Sequence, residues 1–384
     1  MERNYDEEIV DYNESIVDDG DESAGQSIIV YSRDWTVETI VNQIEKGNID
    51  LDPSFQRRKA WKDDKRAKLI ESLMLEYPIP EVVLAESLVE RKKYIVIDGK
   101  QRLMALYGFF NKESNYWDRP KIRGLKVRDD LNGKSSDDLD ENDERELLNS
   151  DLRCTIISNY KKDDVLYDIF YRLNSGSSPL TTQELRQVLH KGEFSRFLIE
   201  VTGDKIALHD VLNIDGPDNR LKDCEIVLKF FALEYFPYMY DGNLKGFLDL
   251  SISALNDGWD QERDNYYSLM DLFNKSVKFL IDAFGDPRRV GRKWLVGEEK
   301  WETRFNRSVF EVEVHCAAVI IRKDLDVTDE SFVEALKSSF DNDAFRSSVE
   351  STTKTVENHM ARFGIFSKLL SDVSGKEIKL EMFR

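Results

Sequence analysis

Cysteine and histidine are scarce in this chain, and their spacing excludes more than their number does. Cys154, Cys224 and Cys316 stand far apart. They fit neither a disulfide framework nor a paired metal-ligand motif, which points to a reduced, cytoplasmic protein. His190, His209, His315 and His359 are isolated from one another, so no histidine cluster is at hand for a catalytic metal. No apolar run approaches the length of a membrane span, and the first residues, rich in Glu and Asp, lack signal-peptide character. Neither a P-loop nor a GxGxxG element occurs. An excess of positive charge is also lacking: a net charge of −19 argues against a protein that coats DNA through bulk electrostatics.

What is present describes a folded protein with room for two domains. The 384 residues are 41% apolar and 11% aromatic, enough for separate cores. Part of the negative charge is segregated. Residues 2–22 hold ten acidic side chains against one arginine, and a second acidic tract runs from Asp129 to Asp151. Both read as solvated or disordered segments rather than catalytic carboxylates, and the less acidic remainder leaves room for a local basic groove.

Local patterning assigns a short strand to Ile28–Tyr31 and a helix to residues 38–44 with Thr36 as its cap. Asp63 or Asp64 would cap a helix carrying Leu69, Ile70, Leu73 and Met74 on one face, and Glu71, on its other side, reads as solvated. Pro78 and Pro80 end that helix, and Val82–Leu84 and Leu152–Ile157 read as strands. From Lys161 helical patterns dominate: 163–173, a helix opened by Thr181 or Thr182 with Glu184 in its first turn, then 224–236, 244–256, 262–284, 306–322, 329–340 and 343–363. No internal repeat is visible. The expected organisation is α+β: an acidic tail over 1–27, an α/β domain over 28–190 with an acidic loop at 129–150, and a helical domain over 191–384.

The most informative stretch is Tyr94-Ile-Val-Ile-Asp-Gly-Lys-Gln-Arg-Leu-Met-Ala-Leu106. A β-branched run stops at Asp98-Gly99. A helical pattern then begins, with Leu103, Leu106, Tyr107 and Phe110 at spacings of three and four. A strand thus delivers an acid, a glycine and two cations to the first turn of a helix, where backbone amides and the helix dipole already favour an anion. Gly99 lets a phosphate approach the backbone, and Arg102 can grip it through two nitrogens. Phosphate recognition is the first expectation.

Four separated blocks extend the motif: Pro53-Ser-Phe-Gln-Arg57 with Trp61; Leu69-Ile-Glu-Ser72 with Ile79-Pro80; Ile97-Asp-Gly-Lys-Gln-Arg-Leu103; and Phe170-Tyr-Arg-Leu-Asn174 with Pro179-Leu-Thr and Glu184-Leu185. In this order they resemble the ParB-like domain family marked by a DGQQR motif. It is the N-terminal domain type of the GmrSD modification-dependent restriction enzyme and of SspE-like phage-defence proteins. The resemblance covers roughly residues 35–190. It implies a ParB/sulfiredoxin-type α/β core that binds a nucleoside triphosphate with Mg²⁺. Carried over by position, Asp98, Gly99, Gln101 and Arg102 occupy the motif, while Lys100 replaces its first glutamine. The departure leaves binding more directly implied than hydrolysis. The resemblance also places Gln56, Arg57, Arg172 and Asn174 around the same pocket, with Asp98 as the metal- or water-holding group and Gln101 and Arg102 beside it in any hydrolysis.

Several assignments compete with these. Phe55 and Trp61 read as core residues before stacking platforms. Arg288, Arg289, Arg292 and Lys293 cluster beside Trp294, which suits nucleic-acid backbone contact and base stacking; in so acidic a chain such arginines also neutralise its own carboxylates. The HNH nuclease domain that usually accompanies the family requires clustered His and Asn residues, and the isolated histidines supply none. The expected function is therefore a sensor or regulatory component of a prokaryotic anti-phage or restriction-type system. Its partners would be a nucleoside triphosphate, a separate effector such as a nuclease, and DNA or a second copy of the chain. The alternatives are a nucleic-acid-binding module without NTPase activity and a self-contained ParB-like nuclease.

Overall fold

The structure, a computed structural model, describes residues 28–51, 61–88, 90–114, 116–117, 120–160, 165–166, 169, 181–350 and 355–380. The chain divides into two compact units between Leu189 and His190. The first is α/β and the second almost wholly helical.

In the first unit the strands are β1 (Ile29–Thr36), β2 (Ile49–Asp50), β3 (Val82–Glu86), β4 (Tyr94–Asp98) and β5 (Asp151–Ser158). They form one sheet in the order β1-β5-β3-β4-β2. The pairs β1–β5 and β3–β4 are antiparallel, and β5–β3 and β4–β2 are parallel. Helices α1 (Val37–Glu45), α2 (Asp63–Met74), α3 (Lys100–Phe110) and α4 (Glu141–Asn149) contribute to a core with Val82, Leu84, Val96, Leu152, Cys154 and Ile156 from the sheet. The opposite face carries Val83, Ala85, Ile97 and Ile157, packed with Leu185 of α5 (Thr182–Leu189). Period-two alternation explains β5: residues 152, 154 and 156 enter the first core, whereas Arg153 and Thr155 point the other way. Between Val83 and Leu84 the register against β4 shifts by one residue, which sets Asp98 opposite Val83.

Local rules account for most boundaries. Thr36 caps α1, its hydroxyl accepting from the Thr39 N–H at 3.2 Å. Thr181 caps α5, its hydroxyl accepting from the Glu184 N–H at 3.1 Å. Two expectations need correction. The tract 129–150 is not a plain acidic loop, because it contains α4, capped by Asp140 and anchored by buried Leu147, with Asp143 ion-paired to Arg128 at 2.7 Å. Glu71 is not simply solvated: its carboxylate accepts the Val127 and Arg128 N–H groups at 3.2 and 2.9 Å, fixing the loop that leads to this tract.

In the second unit, helices α6 (Glu193–Val201), α7 (Ala207–Val211), α8 (Lys222–Tyr235), α9 (Leu244–Asp257), α10 (Trp259–Phe284), α11 (Arg307–Arg322), α12 (Asp329–Ser339), α13 (Asp343–Glu350) and α14 (Val356–Ser374) surround one hydrophobic core. A small hairpin, Trp294–Leu295 with Lys300–Trp301, interrupts them. The stretch 343–363, expected as one helix, is divided between α13 and α14, the latter starting from a Thr355 cap. Helix α11 is buried for most of its length, so its polar side chains need internal partners. Glu311 receives Lys229 at 3.0 Å and Arg362 at 3.1 Å, Glu234 receives His315 at 3.0 Å and also Arg322, and Arg307 pairs with Glu225.

Glu313 of α11 takes its partner from the backbone instead. One carboxyl oxygen accepts the Gly291 N–H at 2.7 Å, and the other, Oε1, is buried without a partner. Burial pushes its pKa well above the ordinary carboxylate value. A raised acid binds its proton more tightly in the folded state than in the unfolded one, so this group's contribution falls as pH rises above the unfolded value of about 4.3. Glu313→Gln is expected to raise stability at pH 7–8 by roughly 1–2 kcal/mol and to flatten the pH dependence there. Denaturant unfolding at pH 5 and pH 8 checks it, and an equal loss of stability at both pH values would contradict the assignment. No helix among the described residues is long and apolar enough to cross a membrane.

Candidate functional site

Strand β4 ends at Asp98 and α3 begins at Lys100, so a single residue, Gly99, turns the chain. Gly99 has φ +92°, a left-handed conformation that side chains other than hydrogen resist. A Cβ there would lie 2.8 Å from Val82 Cγ2 and 3.1 Å from Arg102 Nη2. Glycine therefore serves both the turn and the close approach of Arg102. Gly99→Ala is expected to cost about 1–3 kcal/mol through backbone strain and collision, read as a lowered unfolding midpoint; an unchanged midpoint would contradict the close packing.

Helix α3 starts with no side-chain cap and no acidic residue in its first turn, and Lys100 and Arg102 stand there instead. Cations oppose the positive end of the helix dipole, so this terminus favours an added anion. Arg102 is fixed from two sides. Its Nη2 donates to Asp98 Oδ2 at 2.9 Å and to the Glu81 carbonyl oxygen at 2.9 Å. The Arg102 side chain is 12% exposed and that of Asp98 39%. Nε of Arg102 is buried without a hydrogen-bond partner. Gln101 Nε2 lies 3.9 Å from Met104 Sδ, a weak contact that leaves its amide available.

The structure thus brings Asp98, Gly99, Lys100, Gln101 and Arg102 into one junction. Gln56, Arg57, Arg172 and Asn174 lie outside the described residues, as does Phe55. Trp61 packs against the first core with the Lys65 ammonium over its ring at 4.5 Å. Sequence reading missed Glu81, whose carbonyl holds Arg102; the only signal was its place directly after Pro80 and before a strand. A shallow cleft lined by Val41, Tyr107, Phe110 and Lys112 lies at the other end of α3 from the motif.

The basic cluster of the second unit does not form one exposed cationic face. Arg292 is buried, with Nη2 donating to the Val211 carbonyl at 2.9 Å and Nη1 to that of Val290 at 2.6 Å. Lys293 is shared between Glu302 and Glu350. Trp294 packs edge-on against Trp301, with Lys337 over its ring. Arg288 is exposed but bonded to Asp286, and Arg289 reaches the Phe284 carbonyl. Internal partners thus occupy Arg292, Lys293 and Trp294.

Chemically, the junction offers oriented amides, two cations and one carboxylate, a set suited to phosphate oxygens. Residues 37–191 match the family model described as GmrSD restriction endonuclease, N-terminal domain. The N-terminal unit is similar to that domain over most of its length. The GmrSD N-terminal domain match stops where the helical unit begins, and it relates the chain to restriction-type systems through this domain. No curated protein and no solved structure matches the chain. Among the described residues no group of three or more His, Cys, Asp and Glu side chains is placed to hold a metal ion. A lone carboxylate such as Asp98, with Oδ2 on Arg102, fits an Mg²⁺ carried mainly by phosphate oxygens and water.

Proposed function

We propose that the GmrSD N-terminal domain of this chain binds a nucleoside triphosphate at the Asp98–Arg102 junction and acts as the sensing or regulatory component of a restriction-type system. The observation that carries this reading is the combination at α3: a left-handed glycine cap, no acid in the first turn, and an arginine already oriented by two acceptors. The phosphates would rest on the first-turn amides, with Lys100 and Arg102 countering their charge and Gln101 supplying a neutral hydrogen bond. Asp98 would hold Arg102 in place and contact the Mg²⁺ that accompanies the triphosphate, which when bound shields phosphate charge. Gln56, Arg57, Arg172 and Asn174 belong to this proposal by resemblance alone. Hydrolysis is a further step: the Lys100 substitution supports binding more directly than turnover.

The test is calorimetric titration of the purified chain with ATP, GTP, CTP and UTP, with and without Mg²⁺. Micromolar or tighter binding of at least one nucleotide is expected. Failure of all four to bind, together with salt-sensitive DNA binding that ignores nucleotide, would replace this reading with a nucleic-acid module.

A further inference from the structure

Hydrogen bonds from across the sheet and from Arg102 meet at Glu81. Ser32 of β1 and Val83 of β3 both pair with Thr155 of β5, so these side chains share one row and one face. Glu81, two residues before Val83, falls on the same face beside Thr155. Ser32 Oγ lies 2.9 Å from Thr155 Oγ1, Thr155 Oγ1 lies 2.8 Å from Glu81 Oε2, and the Glu81 carbonyl accepts Arg102 Nη2 at 2.9 Å. Thr155 donates its single hydroxyl proton to the Glu81 carboxylate, so its own hydrogen bond with Ser32 is one it accepts. The hydrogen bonds from Ser32 and Thr155 on one side and from Arg102 on the other therefore converge on Glu81, which accepts both.

Pro78 and Pro80 make this tie matter. Neither has an N–H, so the approach to β3 has lost two of its backbone anchors. The Glu81 carboxylate supplies a side-chain anchor in their place. We infer that Glu81, held by Thr155, is a positioning residue: it fixes the carbonyl that orients the Arg102 guanidinium and presents its remaining terminal nitrogen to the ligand. Thr155 thus acts on the site from two strands away without touching a ligand. The inference rests on the nucleotide reading for its effect on affinity, but not for its effect on Arg102 itself.

The variants Thr155→Val, Thr155→Ser and Glu81→Gln separate the roles. Thr155→Val keeps shape and strand preference and removes the donor. It is expected to weaken the tightest-binding Mg-nucleotide about fivefold to tenfold, the size of one lost hydrogen bond, with no fall in the unfolding midpoint. Thr155→Ser restores the hydroxyl and should recover wild-type affinity. Glu81→Gln keeps an acceptor for Thr155 and should stay near wild type. If Glu81→Gln loses as much as Thr155→Val, Glu81 acts through its charge and the positioning role is overturned. It is equally overturned if Thr155→Val binds normally, or if its affinity falls only in step with its stability. Should wild type bind no nucleotide, the nucleotide reading fails alone, because Arg102 can be read in the ligand-free protein by ¹⁵N NMR. Separate Nη1 and Nη2 resonances in wild type and Thr155→Ser that merge in Thr155→Val sustain the inference; the same spectrum in all three ends it.

Discussion

Arg102→Ala is expected to weaken Mg-nucleotide binding by about 50-fold or more while leaving the chain folded. The guanidinium combines positive charge, partial burial and fixed orientation. Each charge-assisted hydrogen bond it gives a phosphate is worth about 1.5–3 kcal/mol, so two of them exceed a hundredfold and one exceeds tenfold. Arg102→Lys preserves charge but not the fork, and should recover only part of the loss, because an ammonium cannot serve Asp98, the Glu81 carbonyl and a phosphate in one plane. Stability should fall modestly, since Asp98 is exposed enough to be hydrated once its partner is gone. Calorimetry on the three proteins decides: an alanine variant that binds like wild type would remove Arg102 from the site and the proposed function with it.

The second large effect lies in the helical unit. Glu311 is 5% exposed and Arg362 1%, and with Lys229 they form a buried set in which one carboxylate serves two cations. Burial alone would raise the Glu311 pKa, but Lys229, Arg362 and His359 outweigh it and hold the carboxyl well below its usual range. Glu311→Leu would remove the carboxylate that serves both buried cations, at a cost of about 3–5 kcal/mol. For a unit of this size that corresponds to a fall of about 10 °C in the unfolding midpoint. Combining Glu311→Leu with Lys229→Met and Arg362→Met should recover most of the loss, because the damage is uncompensated charge rather than missing volume. A triple variant no more stable than the single one would contradict that account. The pH dependence follows with its sign fixed. A depressed carboxylate contributes stability above its unfolded value near 4.3 and loses it as pH falls through the folded one, so the wild-type advantage over the triple variant should shrink below about pH 4.

Much of the architecture was readable because it depends on neighbours in sequence. The β-branched run before Asp98-Gly99 and the three-four spacing after it are both local, and they give β4, the turn and α3. Thr36 and Thr181 announce helix starts for the same reason. The two-residue strand β2 and the hairpin at Trp294–Trp301 were missed, since so few residues carry no period. The break between α13 and α14 was missed because Phe345, Val349, Phe363 and Phe366 all serve one core and continue a single apolar pattern through it.

Where a charged side chain ends up was a different matter. Arg288, Arg289, Arg292 and Lys293 look alike in sequence, yet Arg292 is buried on carbonyl oxygens while Arg288 is exposed. Glu71 looks solvated until a loop 56 residues away brings its N–H groups to it. The sequence by itself determined an α+β chain, a glycine turn between strand and helix, and the cations placed on that helix's first turn. Only the tertiary structure decided that Arg102 is held by a carbonyl 21 residues distant and that Thr155 stands behind that carbonyl. The reason is physical: propensity and periodicity act over a few residues, whereas the acceptor that fixes a guanidinium is chosen by sheet register, which exists only once the strands have paired.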